Sequence, residues 1–260
     1  MKRFISDLKK YMYYCAYSAK TNLKAEVANS YLNWIWWVLE PLCNMLVYSF
    51  VFGNLLGNTK QYYIVFIYSG LLMWNFFNRV VLFSVKAVRS NKGIVTRAYV
   101  PKYVLLLSNM ILNLIKLAIS CGILVILMVL QQVPISGKII YVVPIYGILI
   151  LWTFGCGTIL LHFGVFVDDL THAITILMHM LFFLTGIFYD VSTRIAAPFG
   201  QMILTLNPVA ACITSMRQAL IYGENPDFLL LGIWTVVSVF LCCVGVKIIY
   251  KYENSYVKVV

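Results

Sequence analysis

Apolar residues run through this chain in long stretches separated by short, charge-bearing breaks. A membrane-crossing helix needs about 20 mainly apolar residues. Six stretches reach that length, at roughly 34–56, 62–84, 103–130, 140–166, 171–189 and 228–250. The third and fourth are long enough to tilt or to extend beyond the hydrocarbon. Between the fifth and sixth, 190–227 is apolar in patches but punctuated by Pro198, Gly200, Pro208, Gly223 and Pro226. These breaks rule out one straight crossing. They predict a pair of re-entrant short helices over 191–222, because non-spanning backbone at membrane depth must be buried in protein or line a wet cavity.

The first thirty residues have a different rhythm. Projected at 100° per residue, Phe4, Ile5, Leu8, Tyr11, Met12, Cys15, Ala19 and Leu23 share one arc, opposite Lys2, Arg3, Lys9, Lys10, Lys20 and Lys24. This predicts a basic amphipathic helix over 1–30, either lying on the membrane surface or packed on another subunit; the immediate approach of the first apolar stretch favours the surface. These thirty residues hold no apolar stretch of signal-peptide type, so no cleaved leader is expected among them.

Composition settles the class. The chain is 62% hydrophobic and 11% charged, with a mean hydropathy of +0.87 over 260 residues. Soluble domains carry about 25% charged residues, so too few are present here to cover a water-facing surface. The expectation is an all-α integral membrane protein forming a single transmembrane domain over 1–260. The seven cysteines sit mostly in apolar runs without CxxC spacing and read as small hydrophobes.

A net charge of +11 would suit nucleic acid, but in a membrane protein it is read by position. Six Lys or Arg lie in the N-terminal segment, five in 85–102 and three near the C-terminus, against four on the opposite side. The positive-inside rule then puts both termini in the cytoplasm. The 167–170 loop on that side carries Asp168 and Asp169 and no basic residue. These acids read as a solvated helix end rather than a metal site.

Few residues offer chemistry. The GxxxxGK[ST] and HExxH patterns are missing, and no clustered carboxylates suggest a transferase. His162, His172 and His179 lack a companion carboxylate array and read as packing residues. No catalytic residue and no metal ligand is expected. Charges inside apolar stretches are costly and often functional. Glu40 and Arg79 both lie roughly 8–9 Å from the cytoplasmic side by helical rise, placed either to form an ion pair or to snorkel independently. Lys116, near the middle of the third stretch, needs a wet cavity, a polar partner or a subunit interface; it lines an anion path or bonds a neighbouring helix. Aromatics make 15% of the chain. Trp34, Trp36 and Trp37 fit an interface belt. Tyr48, Phe52, Tyr63 and Trp74 are candidates to line a conduit, because flat rings with polar tips stack on sugars.

Four segments together resemble the membrane subunit of type-2 ABC exporters, within them the permeases for lipid-linked polysaccharides such as O antigen, capsule or teichoic acid. They are LNWIWWVLEPLCNMLVYSFVFG (32–53), SNKGIVTRAYVPKYVLLLS (90–108), LNPVAACITSMRQALIYG (206–223) and YENSYVKVV (252–260). The resemblance runs nearly end to end, with two departures. Asp168-Asp169 stands where relatives commonly have Arg-Asp, and Gly186-Ile187-Phe188-Tyr189 replaces an aromatic-Pro pattern.

The resemblance implies a homodimer in the bacterial inner membrane, associated with two ABC ATPase subunits that hold ATP and Mg. This chain itself would carry no cofactor and catalyse nothing. It implies ATPase docking through Asn91, Lys92, Ile94 and Arg97, and passage of the glycan between protomers. The basic rim, with Lys20, Lys24 and Arg97, is expected to attract a lipid diphosphate head. Rival readings are a drug or lipid exporter of the same superfamily, an ion-coupled secondary transporter, which would need more midplane charges, and a membrane-bound transferase.

Overall fold

The computed structural model describes residues 2–28, 33–55, 61–97, 99–196 and 198–259. Among them every regular element is a helix, with no strand. Helix α1 (Lys2–Val27) is followed by a 3₁₀ turn (Asn33–Ile35), α2 (Trp36–Tyr48) and a π-helical turn (Ser49–Leu55). Next come α3 (Tyr63–Ser90), the short α4 (Lys92–Arg97), α5 (Tyr103–Leu130), and a 3₁₀ turn (Gly137–Tyr141) leading into α6 (Val142–Phe166). The rest comprises α7 (Leu170–Leu184), α8 (Val191–Arg194), α9 (Phe199–Leu206), α10 (Pro208–Arg217) with a π-helical turn (Gln218–Tyr222), and α11 (Phe228–Val259).

Among the described residues, four helices are long and apolar enough to cross a membrane: Tyr63–Ser90, Tyr103–Leu130, Gly137–Phe166 and Phe228–Tyr256. They coincide with the second, third, fourth and sixth apolar stretches. The other two stretches form shorter helices than their apolar length predicted. The first is α2, only 13 residues with Pro41 inside, continued by the π-helical turn to Leu55; its last assigned residue, 56, lies outside the described residues, as does Lys60. The fifth ends early. Helix α7 has 15 residues, about 22 Å at 1.5 Å per residue, short of a hydrocarbon core of about 30 Å. The chain then turns through Gly186 at φ +73°, a left-handed conformation open to glycine.

In 190–227 the helices α9 and α10 meet at 101°. Asn207 makes the bend: its side chain accepts hydrogen bonds from Val209 N (3.1 Å) and Ala210 N (3.3 Å), while Pro208 opens α10. An N-cap followed by proline starts a helix in a new direction without an unsatisfied amide. Asp227 caps α11 likewise, accepting from Leu229 N and Leu230 N at 3.1 Å.

Helix α6 is the central strut, packed along α3 and α11. Small residues permit this approach. A Cβ on Gly164 would lie 2.1 Å from Val85 O of α3, and one on Gly245 of α11 would lie 2.0 Å from Thr158 Oγ1 of α6. Such contacts supply helix association where lipid removes the hydrophobic drive.

Helix α1 is amphipathic, with a narrower buried stripe than its projection predicted. Cys15, Ala19 and Leu23 are buried, Phe4, Leu8 and Tyr11 half-buried, and Ile5 and Met12 exposed at the margin. The stripe lies lengthwise on the first half of α5: Cys15 meets Val104, and Ala19 and Leu23 cluster with Leu112.

Candidate functional site

Three groups of residues collect the chemistry. The first surrounds the α1–α5 seam. Arg79 Nη2 of α3 lies 2.8 Å from Glu40 Oε2 of α2, so the structure brings these two together. Lys116 of α5 is met by Glu26 of α1 at 2.5 Å and sits over the Trp37 ring, 5.6 Å from its centroid. Its partner is thus a carboxylate from the amphipathic α1, which sequence reading did not single out. Arg79, Lys116, Asn75, Asn113 and Ser120 line one small cleft of about 30 Å³.

The second group lies where α4, the start of α1 and the end of α11 converge. The Tyr99 hydroxyl accepts from Arg3 Nη2 (2.6 Å) and donates to Glu253 at 3.0 Å, while Arg3 also pairs with Glu253 at 3.2 Å. One turn deeper, Tyr250 OH donates to Asp7 at 2.7 Å and meets Tyr103 OH at 2.9 Å. Burial, then the neighbouring Glu253, raises the Tyr99 phenol above its ordinary value. Lys102 is buried, and that burial lowers its ammonium, with Glu253 opposing. Residues 99–103 therefore fasten the segment after α4 to both termini. Arg3, Asp7, Tyr99 and Glu253 escaped sequence reading because they stand up to 250 positions apart.

On α4, Val95 is buried and anchors the helix, while Lys92, Ile94 and Arg97 are exposed. Asn91 is half-buried, with Nδ2 donating to Ala87 O at 2.7 Å. Close by, Arg89 pairs with Asp168 and donates from Nη2 to Val165 O at 2.8 Å. Asp168 is thus an ion-pair partner for α3, more than the solvated helix end its sequence position indicated. Lys20 and Lys24 are exposed on the far half of α1. Tyr99, two residues from Arg97, touches Arg3, and seventeen helical residues separate Arg3 from Lys20, about 25 Å at 1.5 Å each. The structure therefore does not gather Lys20, Lys24 and Arg97 into one basic patch.

The third group is aromatic. Phe52 stacks on Phe188 at 4.3 Å; Tyr48 meets Phe188 at 4.8 Å and Phe182 at 5.9 Å; Trp74 meets Phe182 at 5.6 Å. Tyr63 donates to Phe188 O at 2.9 Å. The rings converge from α2, α3 and the end of α7, with Tyr63 and Trp74 buried inside the protomer and Tyr48 and Phe52 half-buried. Of the histidines, His162 Nδ1 bonds Tyr256 OH at 2.8 Å, while His172 and His179 are exposed on α7.

One cation lies apart from these groups. Arg217, closing α10, is 4% exposed. Nε and Nη2 donate to Phe66 O (3.2 and 2.9 Å), Nη1 to Gly186 O (2.8 Å) and Nη2 to Ile187 O (2.8 Å), and the guanidinium carbon lies 3.5 Å from the Phe66 ring centroid. A Cβ on Gly70 would come within 2.5 Å of Nη2, so glycine there makes room for the fork.

Long apolar helices crossing at glycines, an amphipathic helix laid along one of them, and polar residues gathered at the helix ends define a polytopic membrane protein. The chain belongs to the ABC-2 type transporter family, whose model matches residues 15–221. It is 28% identical over 243 residues, 93% of each chain, to the O-antigen export system permease protein RfbA of Myxococcus xanthus. It is 25% identical to a protein of the same name from Klebsiella pneumoniae, over 92% of this chain and 91% of that one. The polysialic acid transport protein KpsM of Escherichia coli is 23% identical, over 81% of this chain and 83% of its own length.

Proposed function

We propose that this chain is the membrane subunit of an ATP-driven exporter that carries a lipid-linked polysaccharide of the O-antigen type from the cytoplasm across the bacterial inner membrane. The observation that carries the reading is similarity over nearly the whole chain to permeases named for O-antigen and polysialic acid transport. In this reading two copies enclose the path and two ABC ATPase subunits supply the energy, holding ATP and Mg outside this chain. Both termini lie in the cytoplasm, by the excess of Lys and Arg at that end. Six membrane passes follow if α2 with its π-helical extension and the short α7 also cross, each with help from neighbouring helices, and α9–α10 re-enter from outside.

The physical demands fit. A hydrated glycan cannot enter hydrocarbon, because its hydroxyls would lose water without replacement. Rings such as Tyr48 and Phe52 let sugars stack and slide without holding them tightly. The exposed Lys92, Ile94 and Arg97 on an anchored α4 make a surface for an ATPase, and residues 99–103 would pass its motion to α1 and α11.

The test is purification of the tagged chain from native membranes in mild detergent, followed by mass spectrometry. A stoichiometric ABC ATPase, and loss of surface glycan when the gene is deleted, are the expected results. A chain that emerges alone under conditions preserving other membrane complexes refutes the reading.

A further inference from the structure

At the end of the spanning helices opposite the Arg3–Tyr99–Glu253 triangle, the structure holds a cavity of about 360 Å³, within the size range of small-molecule sites. Gln61, Asp190, Thr214, Gln218 and Glu224 supply hydrogen-bonding groups to its wall, and Phe66 and Tyr222 supply rings. Arg217 forms the floor. Because that guanidinium binds the carbonyls of Phe66, Gly186 and Ile187, it pins the start of α3, the turn after α7 and the end of α10 around one space. The rim is fixed by Gly223 at φ +61° and by Glu224 N donating to Gln218 O at 2.8 Å. The pocket is therefore preformed, and binding there would not have to order its walls.

Its chemistry selects among ligand classes. An acyl chain would strand the amides and carboxylates. A phosphate would face Asp190 and Glu224. A divalent cation would have a fixed guanidinium behind it, and no group of three potential metal ligands occurs among the described residues. Donors and acceptors of both kinds, nearly balanced in charge and flanked by rings, suit a neutral, hydroxyl-rich ligand. We propose that this cavity is a carbohydrate-binding subsite at the outer mouth, holding a short stretch of the emerging glycan through Thr214 and Glu224, with Gln61 and Gln218 beside them on the wall. It rests on the export reading above and adds a place where sugar is held after crossing. Such a hold would bias the leading segment against slipping back between power strokes.

The test uses the complete permease–ATPase complex in nanodiscs, with Gln218→Cys or, as a second position on the exposed rim, Gln61→Cys. An impermeant maleimide reports access to the introduced thiol. Glycan released by mild acid from the producing cells should slow labelling by about ten-fold when present at roughly ten times its Kd. Sodium phosphate and calcium chloride should not, and adding Thr214→Val with Glu224→Ala should abolish the protection. Absence of protection at both positions in a complex that still exports glycan overturns the subsite and leaves the export reading intact. Protection by phosphate or calcium overturns it equally. A complex that moves no glycan in cells removes the export reading itself.

Discussion

The Tyr99 hydroxyl lies 3.0 Å from both carboxylate oxygens of Glu253 while accepting a hydrogen bond from Arg3. Three separate parts of the chain thus share one contact. Removing either member should loosen all three. Tyr99→Phe and Glu253→Gln are expected to show a coupling energy of about 0.5–1 kcal/mol in a double-mutant cycle on thermal stability. In the assembled exporter, Tyr99→Phe should keep ATP hydrolysis but lower glycan export. Simple additivity of the two substitutions would show that the triangle is not a cooperative unit.

Lys102 beside this triangle is buried as a cation, and burial holds its ammonium below the ordinary value of 10.5. A base whose folded pKa is lowered costs stability wherever the unfolded chain binds the proton more readily. That cost is fully present at neutral pH, fades as pH rises from the lowered folded value toward 10.5, and is gone above it. Lys102→Met should therefore raise stability by roughly 1 kcal/mol at pH 7–8, with a smaller gain near pH 10.5, read from melting curves across that range.

Arg217 gives the opposite case, a buried cation that the fold uses. Arg217→Ala leaves the Phe66, Gly186 and Ile187 carbonyls without their shared donor and should cost about 3 kcal/mol or more. Arg217→Lys should recover less than half, because a point-charge ammonium cannot reproduce the planar fork. Size-exclusion profiles after graded heating measure both. Full rescue by lysine would reduce Arg217 to a simple charge.

The helix crossings give a paired prediction. Gly164→Ala forces a methyl to within 2.1 Å of Val85 O and should destabilise by about 1–3 kcal/mol, the usual cost of overpacking. Gly147→Ala on the same helix meets nothing within 4 Å and should be neutral or stabilising by up to about 1 kcal/mol. Equal melting temperatures for the two variants would contradict the close α3–α6 approach.

Glu40 and Arg79 can be exchanged. Glu40→Arg or Arg79→Glu alone sets like charges against each other where the native groups lie 2.8 Å apart; the double swap restores the pair and should recover most of the lost folded yield. A double variant no better than either single one would mean that each side chain reaches the headgroups independently.

Much of the architecture was legible in the chain. Continuous apolar length placed Tyr103–Leu130 to the residue and α3, α6 and α11 closely, because lipid demands internally bonded backbone over a fixed thickness. Pro208 announced a break, and the period of α1 announced its buried face. Hydropathy alone could not show that α7 stops at Leu184, since the turn at Gly186 is held by Arg217 binding its carbonyl from thirty-one positions away. Nor could it pair Lys116 with Glu26, or Tyr99 with Arg3 and Glu253, because such partners meet only when helices pack. Sequence determined which segments must leave water. Tertiary structure decided which polar groups meet, because a charge kept from water is stabilised only by the particular neighbour the packing delivers.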